Sequence, residues 1–164
     1  MIENITFSGI QMEWDEFSWR GILDIPLFGE IRPADDGVEI SVGTRDEEQI
    51  EPCKEQIDAW SSFVENQEAI CKKTLVRVLS YYIEMRPQYE SMGPEFVEYM
   101  PVLTEAQPLA GMIRLSGISI RWPYENETVR IGVVFGCDWE MEHGLGLVYQ
   151  LNDIVDIGMA DCAC

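Results

Sequence analysis

The chain predicts an α+β fold, an antiparallel β-sheet with two central helices packed on one face. Three observations carry that prediction. Residues 1–43 place apolar side chains at every second position, as strands do. Residues 46–86 change to a step of three and four, the helical period. Residues 117–161 return to short apolar runs bounded by turn residues. With 164 residues, no internal repeat and no low-complexity block, a single domain over 1–164 is expected, large enough to bury a core.

The N-terminal part is read as three strands. "NITFSG" sets Ile5 and Phe7 on one face, and "GVEISVG" does the same with Val38, Ile40 and Val42. "WRGILDIPLFGE" is β-like, with Pro26 marking a bulge or an edge. "RPADDG" (32–37) has the proline and glycine of a turn. Short turns between the three predict an antiparallel meander. "MEWDEFSW" (12–19) mixes aromatic and acidic residues and is placed on a loop, where an exposed Trp14 and Phe17 would anchor a protein partner.

The helices occupy 46–86. Ile50, Cys53, Ile57, Trp60 and Val64 form the first stripe, and Glu47, Glu48 and Glu51 suit the positive end of its dipole. Pro52 fits only in a first turn, so the helix should begin at 50–52. "ENQEA" interrupts the stripe, and Asn66 can cap a second helix carrying Cys71, Leu75, Val78, Leu79, Tyr82 and Met85. That helix should stop before Pro87; a single helix through 50–86 is the alternative. Tyr81 and Tyr82 cannot both lie on the buried stripe. Residues 87–116, punctuated by Gly93, Pro94, Pro101 and Pro108, read as loop-rich, with "PLAGMIRL" as a short helix. Strands follow in "GISIRW", "VRIGVVFGCDW", "GLGLVYQL" and "DIVDIGMAD". Core packing is expected for at least three of the five tryptophans.

Composition narrows function. Eleven Lys and Arg face thirty Asp and Glu, a formal net charge of −19. Such a chain repels phosphate backbones, because binding them needs Lys and Arg to displace counterions. Nucleic acid and anionic membrane are therefore excluded as partners, and a basic protein or peptide is favoured, since opposite fields speed encounter. Solubility alone is the competing reason for the charge. The start, "MIENITFSGIQMEW", lacks the basic residues and apolar run of a secretory signal, so a cytoplasmic location is expected. Five cysteines, an odd number without paired CxxC motifs, are expected to stay reduced, with Cys162 and Cys164 on a frayed tail.

One stretch resembles chemistry. "CDWEMEHGLGL" (137–147) holds the sole histidine, His143, with Cys137, Asp138, Glu140 and Glu142. As a metal site it offers one imidazole and no zinc-like spacing. As a catalytic site it offers His143 with Glu140 or Glu142 as a dyad, or Cys137 as a nucleophile on an apolar strand. As a β-hairpin it explains the glycines as well: Gly144 supplies a positive φ, and Gly146 permits a close approach or a bulge. The hairpin reading is preferred, so no catalytic residue, metal or cofactor is assigned.

"CDWEMEHGLGLVYQLNDIVDIGMAD" (137–161) also resembles the C-terminal signature of a family of small, largely uncharacterised bacterial proteins. The matching residues are Trp139, Glu142, His143, Gly144, Leu145, Gly146, Asp153, Ile154, Val155, Ile157, Gly158 and Asp161. The Trp19-x-Gly21 element with "DIPLF", and Tyr81-Tyr82, are similar too. The resemblance implies an immunity or interaction protein of polymorphic toxin systems and brings no catalytic residues. The expected function is a non-catalytic acidic module that occludes a basic toxin or other basic protein. Candidate contact or turn residues are Trp14, Phe17, Trp139, Glu140, Glu142 and His143. The alternative is a metal-dependent or acid–base enzyme centred on Glu142 and His143.

Overall fold

A computed structural model describes residues 2–164. One eight-stranded sheet organises them, with strands in chain order from edge to edge. The strands are β1 (Asn4–Phe7), β2 (Ile10–Trp14), β3 (Ser18–Leu23), β4 (Val38–Gly43), β5 (Ile113–Ile120), β6 (Arg130–Cys137), β7 (Leu145–Gln150) and β8 (Asp153–Gly158). The helices α1 (Lys54–Glu65) and α2 (Gln67–Met92) lie between β4 and β5. That crossover makes β4 and β5 parallel, while every other neighbouring pair is antiparallel. The sheet is thus mixed, because a long helical connection returns the chain to the end of the sheet where it started.

Period-two alternation fixes which face is buried. Ile10, Met12, Trp19, Ile40, Val42, Ile118, Ile120, Val133, Phe135, Leu147 and Tyr149 are buried. Cross-strand register places them on a common face, as Ile40 opposite Ile118, Ile118 opposite Val133 and Val133 opposite Leu147 show. The helices meet that face through aromatic contacts. Phe63 of α1 lies edge-on to Tyr149 with ring centroids 5.2 Å apart, and Tyr82 of α2 lies edge-on to Trp139 at 5.0 Å. Thr74 of α2 shares a 2.6 Å hydrogen bond with the Tyr149 hydroxyl. A buried glutamine fastens the helical layer to the parallel pair: Gln56 Nε2 donates to the carbonyls of Gly43 (2.8 Å) and Ile120 (3.3 Å), and its Oε1 accepts from the Cys53 amide. Trp19, Trp60 and Trp139 are core residues. Of the tyrosine pair, Tyr82 is buried and Tyr81 only partly so.

Several expectations are corrected. The N-terminal part forms four strands, since "IQMEW" is β2 and Trp14 ends it. The segment after Leu23 leaves the sheet, yet Leu27, Phe28 and Ile31 still reach the core from turns. Helix α1 begins at Lys54, because Cys53 and Gln56 form the capping box and Pro52 stays outside. Asn66 does not cap α2 with its side chain; it donates back to the Ser62 carbonyl. Helix α2 runs through Pro87 to Met92. The hydrogen bond that proline forfeits is offset by anchors beside it, where Arg86 Nε donates to the Met100 carbonyl (2.8 Å) and Tyr89 reaches Glu140. "PLAGMIRL" is not a helix throughout: only Gln107–Gly111 form a 3₁₀ turn, and Ile113 already opens β5.

The C-terminus is not frayed. Residues Ala160–Ala163 form a 3₁₀ turn that folds over β6 and β7 on the face opposite the helices. Gly132 and Gly146 permit the contact, since a Cβ on Gly132 would sit 1.7 Å from the Ala163 oxygen and one on Gly146 2.7 Å from the Met159 oxygen. Val148, between them on that face, is buried in consequence.

Candidate functional site

The stretch 137–147 is a hairpin connection. Phe135 pairs with Leu145, and residues 138–144 cross between β6 and β7. Gly144 has φ +63°, and its amide donates to the Glu140 carbonyl at 3.0 Å, closing the bend. Its missing Cβ would lie 2.8 Å from the Phe135 oxygen, so the position needs glycine on two counts. Gly146 serves a close approach to the C-terminal turn rather than a bulge.

Within this bend one carboxylate organises its neighbours. Glu140 Oε2 accepts from the Tyr89 hydroxyl at 2.8 Å, and Glu140 Oε1 lies 3.1 Å from His143 Nδ1. Partial burial pushes the Glu140 carboxyl up, but the bonds from Tyr89 and His143 outweigh it and hold the group below its usual range. Burial, and then the Glu140 charge, push the Tyr89 phenol up. Beside it, Arg114 pairs with Asp138 at 2.7 Å. Sequence patterns did not single out Tyr89 or Arg114, because they lie 51 and 24 residues from their partners. A part-buried Tyr/Glu pairing on the last turns of a helix leaves no periodic mark.

The chemistry this can perform is limited. His143 is 57% exposed at its side chain, and its one acidic partner is Glu140, with Glu142 turned to solvent. Cys137 is buried, and burial pushes its thiol up to about 12, so it stays protonated at neutral pH. Among the described residues no three His, Cys, Asp or Glu side chains converge as a metal would require. The exposed Glu140–His143 pair is a tether for the bend, of the kind worth little when solvated.

The candidate residues do not assemble into one site. Trp14 ends β2 and Phe17 lies on the β2–β3 turn, where Asp15 Oδ1 accepts from the amides of Phe17 (3.0 Å) and Ser18 (2.7 Å). Register carries that turn to the end of the sheet where Ser18 meets Gly43, whereas the β6–β7 bend lies at the end where Ile113 meets Cys137. Trp14 leans on Trp19 with centroids 5.2 Å apart and is only partly exposed, while Phe17 is 56% exposed. Trp139 is covered by Tyr82 and does not face a partner.

At the Trp14 end a different concentration of charge appears. Asp46, Glu55, Glu125 and Glu127 line a cleft of about 870 Å³ together with Trp122 and Tyr124. The Arg45 guanidinium lies 5.4 Å from the Trp122 ring centroid, so the indole face already receives a cation. No sequence pattern joins residues 45–55 to 122–127; the parallel pairing of β4 with β5 does.

The family described as "Domain of unknown function (DUF6985)" matches residues 2–164. The chain belongs to this family. Because the match spans strands, helices and the C-terminal turn alike, the whole sheet of this DUF6985 chain is the family's unit. Neither curated proteins nor solved structures yield a match to it. Among the described residues no helix is long and apolar enough to cross a membrane.

Proposed function

We propose that this DUF6985 protein is a non-catalytic binding protein whose acidic surface meets a basic protein or peptide and occludes it. An immunity protein that covers a basic toxin is the most concrete form of that reading. The observation that carries it is charge left without an internal use. Eight of the thirty carboxylates form ion pairs with Lys, Arg or His among the described residues. The rest repel one another, a cost that an opposite partner surface would relieve. The acidic cleft beside Trp122 and Tyr124 suits such a partner. Carboxylates attract Lys and Arg, and Tyr124 offers its ring to their stems or to a guanidinium face, Arg45 already lying over Trp122. Phe17, exposed on the neighbouring turn, adds an apolar anchor at the same end of the sheet.

The test uses a basic protein that the chain retains in a low-salt pull-down from its source cell. Stopped-flow association is measured between low and high salt. The on-rate should fall by roughly tenfold or more as screening shortens the Debye length. Glu125→Gln with Glu127→Gln should slow association, and Trp122→Ala should speed dissociation. An on-rate indifferent to salt, or no complex at all, refutes the reading.

A further inference from the structure

The sheet face turned away from the helices carries two adjacent arginines at one end. Ile120 pairs with Ile131 in the core, and the Arg121 amide donates to the Arg130 carbonyl at 3.0 Å. By alternation both arginine side chains therefore leave on the far face, side by side across two strands. Like charges in that position repel. In a chain with thirty acids, neither forms an ion pair with an Asp or Glu among the described residues. Their neighbour Arg20 is by contrast neutralised by Asp15 and Glu39. Arg121 Nη2 is spent on two backbone oxygens, those of Cys162 (2.9 Å) and Cys164 (2.7 Å). Arg130 is exposed.

Both arginines line a groove of about 800 Å³ with Ser119, Thr44, Trp122 and Tyr124. A second observation converges there. Among the described residues, the buried side-chain polar atoms without a hydrogen-bond partner are Thr44 Oγ1 and Arg121 Nε, and both residues line this groove. Thr44 is 6% exposed. Buried polar atoms are paired almost everywhere in proteins, so two orphans at one groove mark a place where a ligand or its bound water completes the pairing. Guanidinium groups present paired donors that match the two oxygens of a carboxylate or phosphate.

We propose that this groove binds a small organic anion, its carboxylate or phosphate group seated between Arg121 and Arg130 and its body against Trp122 and Tyr124. Glu39, Glu47 and Glu127 also line the groove. They and the −19 net charge oppose anions at longer range. The ligand is therefore compact, held by short contacts, and not a polyanion such as nucleic acid. Ser119, on the same face of β5, supplies a further hydroxyl donor. The site rests on Arg121 and Arg130, although it shares Trp122, Tyr124 and Glu127 with the acidic cleft, and it goes beyond the binding function proposed above.

Phenyl phosphate and benzoate, titrated separately into the whole chain, test the proposal by ¹⁵N NMR that includes the arginine Nε signals. Saturable shifts at Thr44, Ser119 and Arg121 are expected, and the probe that binds more tightly identifies the favoured group. Arg130→Gln should weaken binding by about tenfold or more, the usual scale for losing a charged hydrogen bond. Arg77→Gln, the same charge change on α2, should leave it unchanged. Ser119→Asp, which places a carboxylate in the groove, should abolish it, and keeps the test intact should Arg130→Gln fail to fold. Shifts that never saturate with either probe, or equal weakening by Arg130→Gln and Arg77→Gln, overturn the proposal.

Discussion

Gly132→Ala should detach the C-terminal turn from the sheet. The added methyl would meet the Ala163 oxygen at 1.7 Å and its carbonyl carbon at 2.7 Å, and neither backbone atom can yield. Arg121 would then lose its bonds to the Cys162 and Cys164 oxygens. Bonds to a charged group contribute about 1.5–3 kcal/mol each when buried, and the partial exposure of Arg121 lowers that to ~1 each. Val148, now buried at 3%, would be partly uncovered, at a cost of about 1–2 kcal/mol. The loss is therefore about 3–4 kcal/mol, and for a chain of this size it lowers Tm by ~6–16 °C. Thermal melts followed by circular dichroism measure it, with limited proteolysis reporting release of residues 159–164. Gly136→Ala is the matched control, since a Cβ there meets nothing within 4 Å. Combined with Arg121→Ala, the Gly132→Ala loss should be less than additive, because both break the same contact. A Gly132→Ala protein that melts like the parent, with its C-terminus still protected, would refute the reasoning.

Three further outcomes follow from the site and the core. The Glu140 carboxyl lies below its usual range in the folded state, so it contributes stability above the ordinary carboxylate pKa, and that contribution is lost as pH falls through the folded value. Tyr89→Phe removes a donor and should move the Glu140 titration upward by NMR; an unchanged midpoint would deny the tyrosine its role. Native protein treated with iodoacetamide at mildly alkaline pH should be modified at exposed Cys164 and spared at Cys137, whose thiol burial pushes to about 12; rapid labelling of Cys137 by mass spectrometry would contradict its burial. Thr74→Val leaves the buried Tyr149 hydroxyl without its partner and should cost about 1–3 kcal/mol in urea unfolding. Tyr149→Phe should cost less, because Thr74 Oγ1 still donates to the Ile70 carbonyl.

The periodic patterns carried most of the element content. Alternation at Val38, Ile40 and Val42 and at Ile118 and Ile120 is a local consequence of one wetted and one covered face, so it is legible without coordinates. The bend at 138–144 was legible for the same reason: Gly144 answers a backbone requirement that any hairpin of this geometry imposes. Strand β2 was hidden because Gln11 and Glu13 face water and the aromatic residues beyond it suggested a loop. Pro87 signalled a helix end from local geometry, but contacts from Arg86 and Tyr89 to distant segments overrode it.

The sequence by itself determined the strand–helix–strand order, the buried stripes and the acidic surplus, because each depends only on neighbours along the chain. Tertiary structure alone decided the rest. It made β4 and β5 parallel, joined Glu140 to Tyr89, folded residues 160–163 over Gly132, and left Arg121 Nε and Thr44 Oγ1 without partners beside one groove. These are pairings between residues tens of positions apart, and no local periodicity encodes which distant atom a donor will meet.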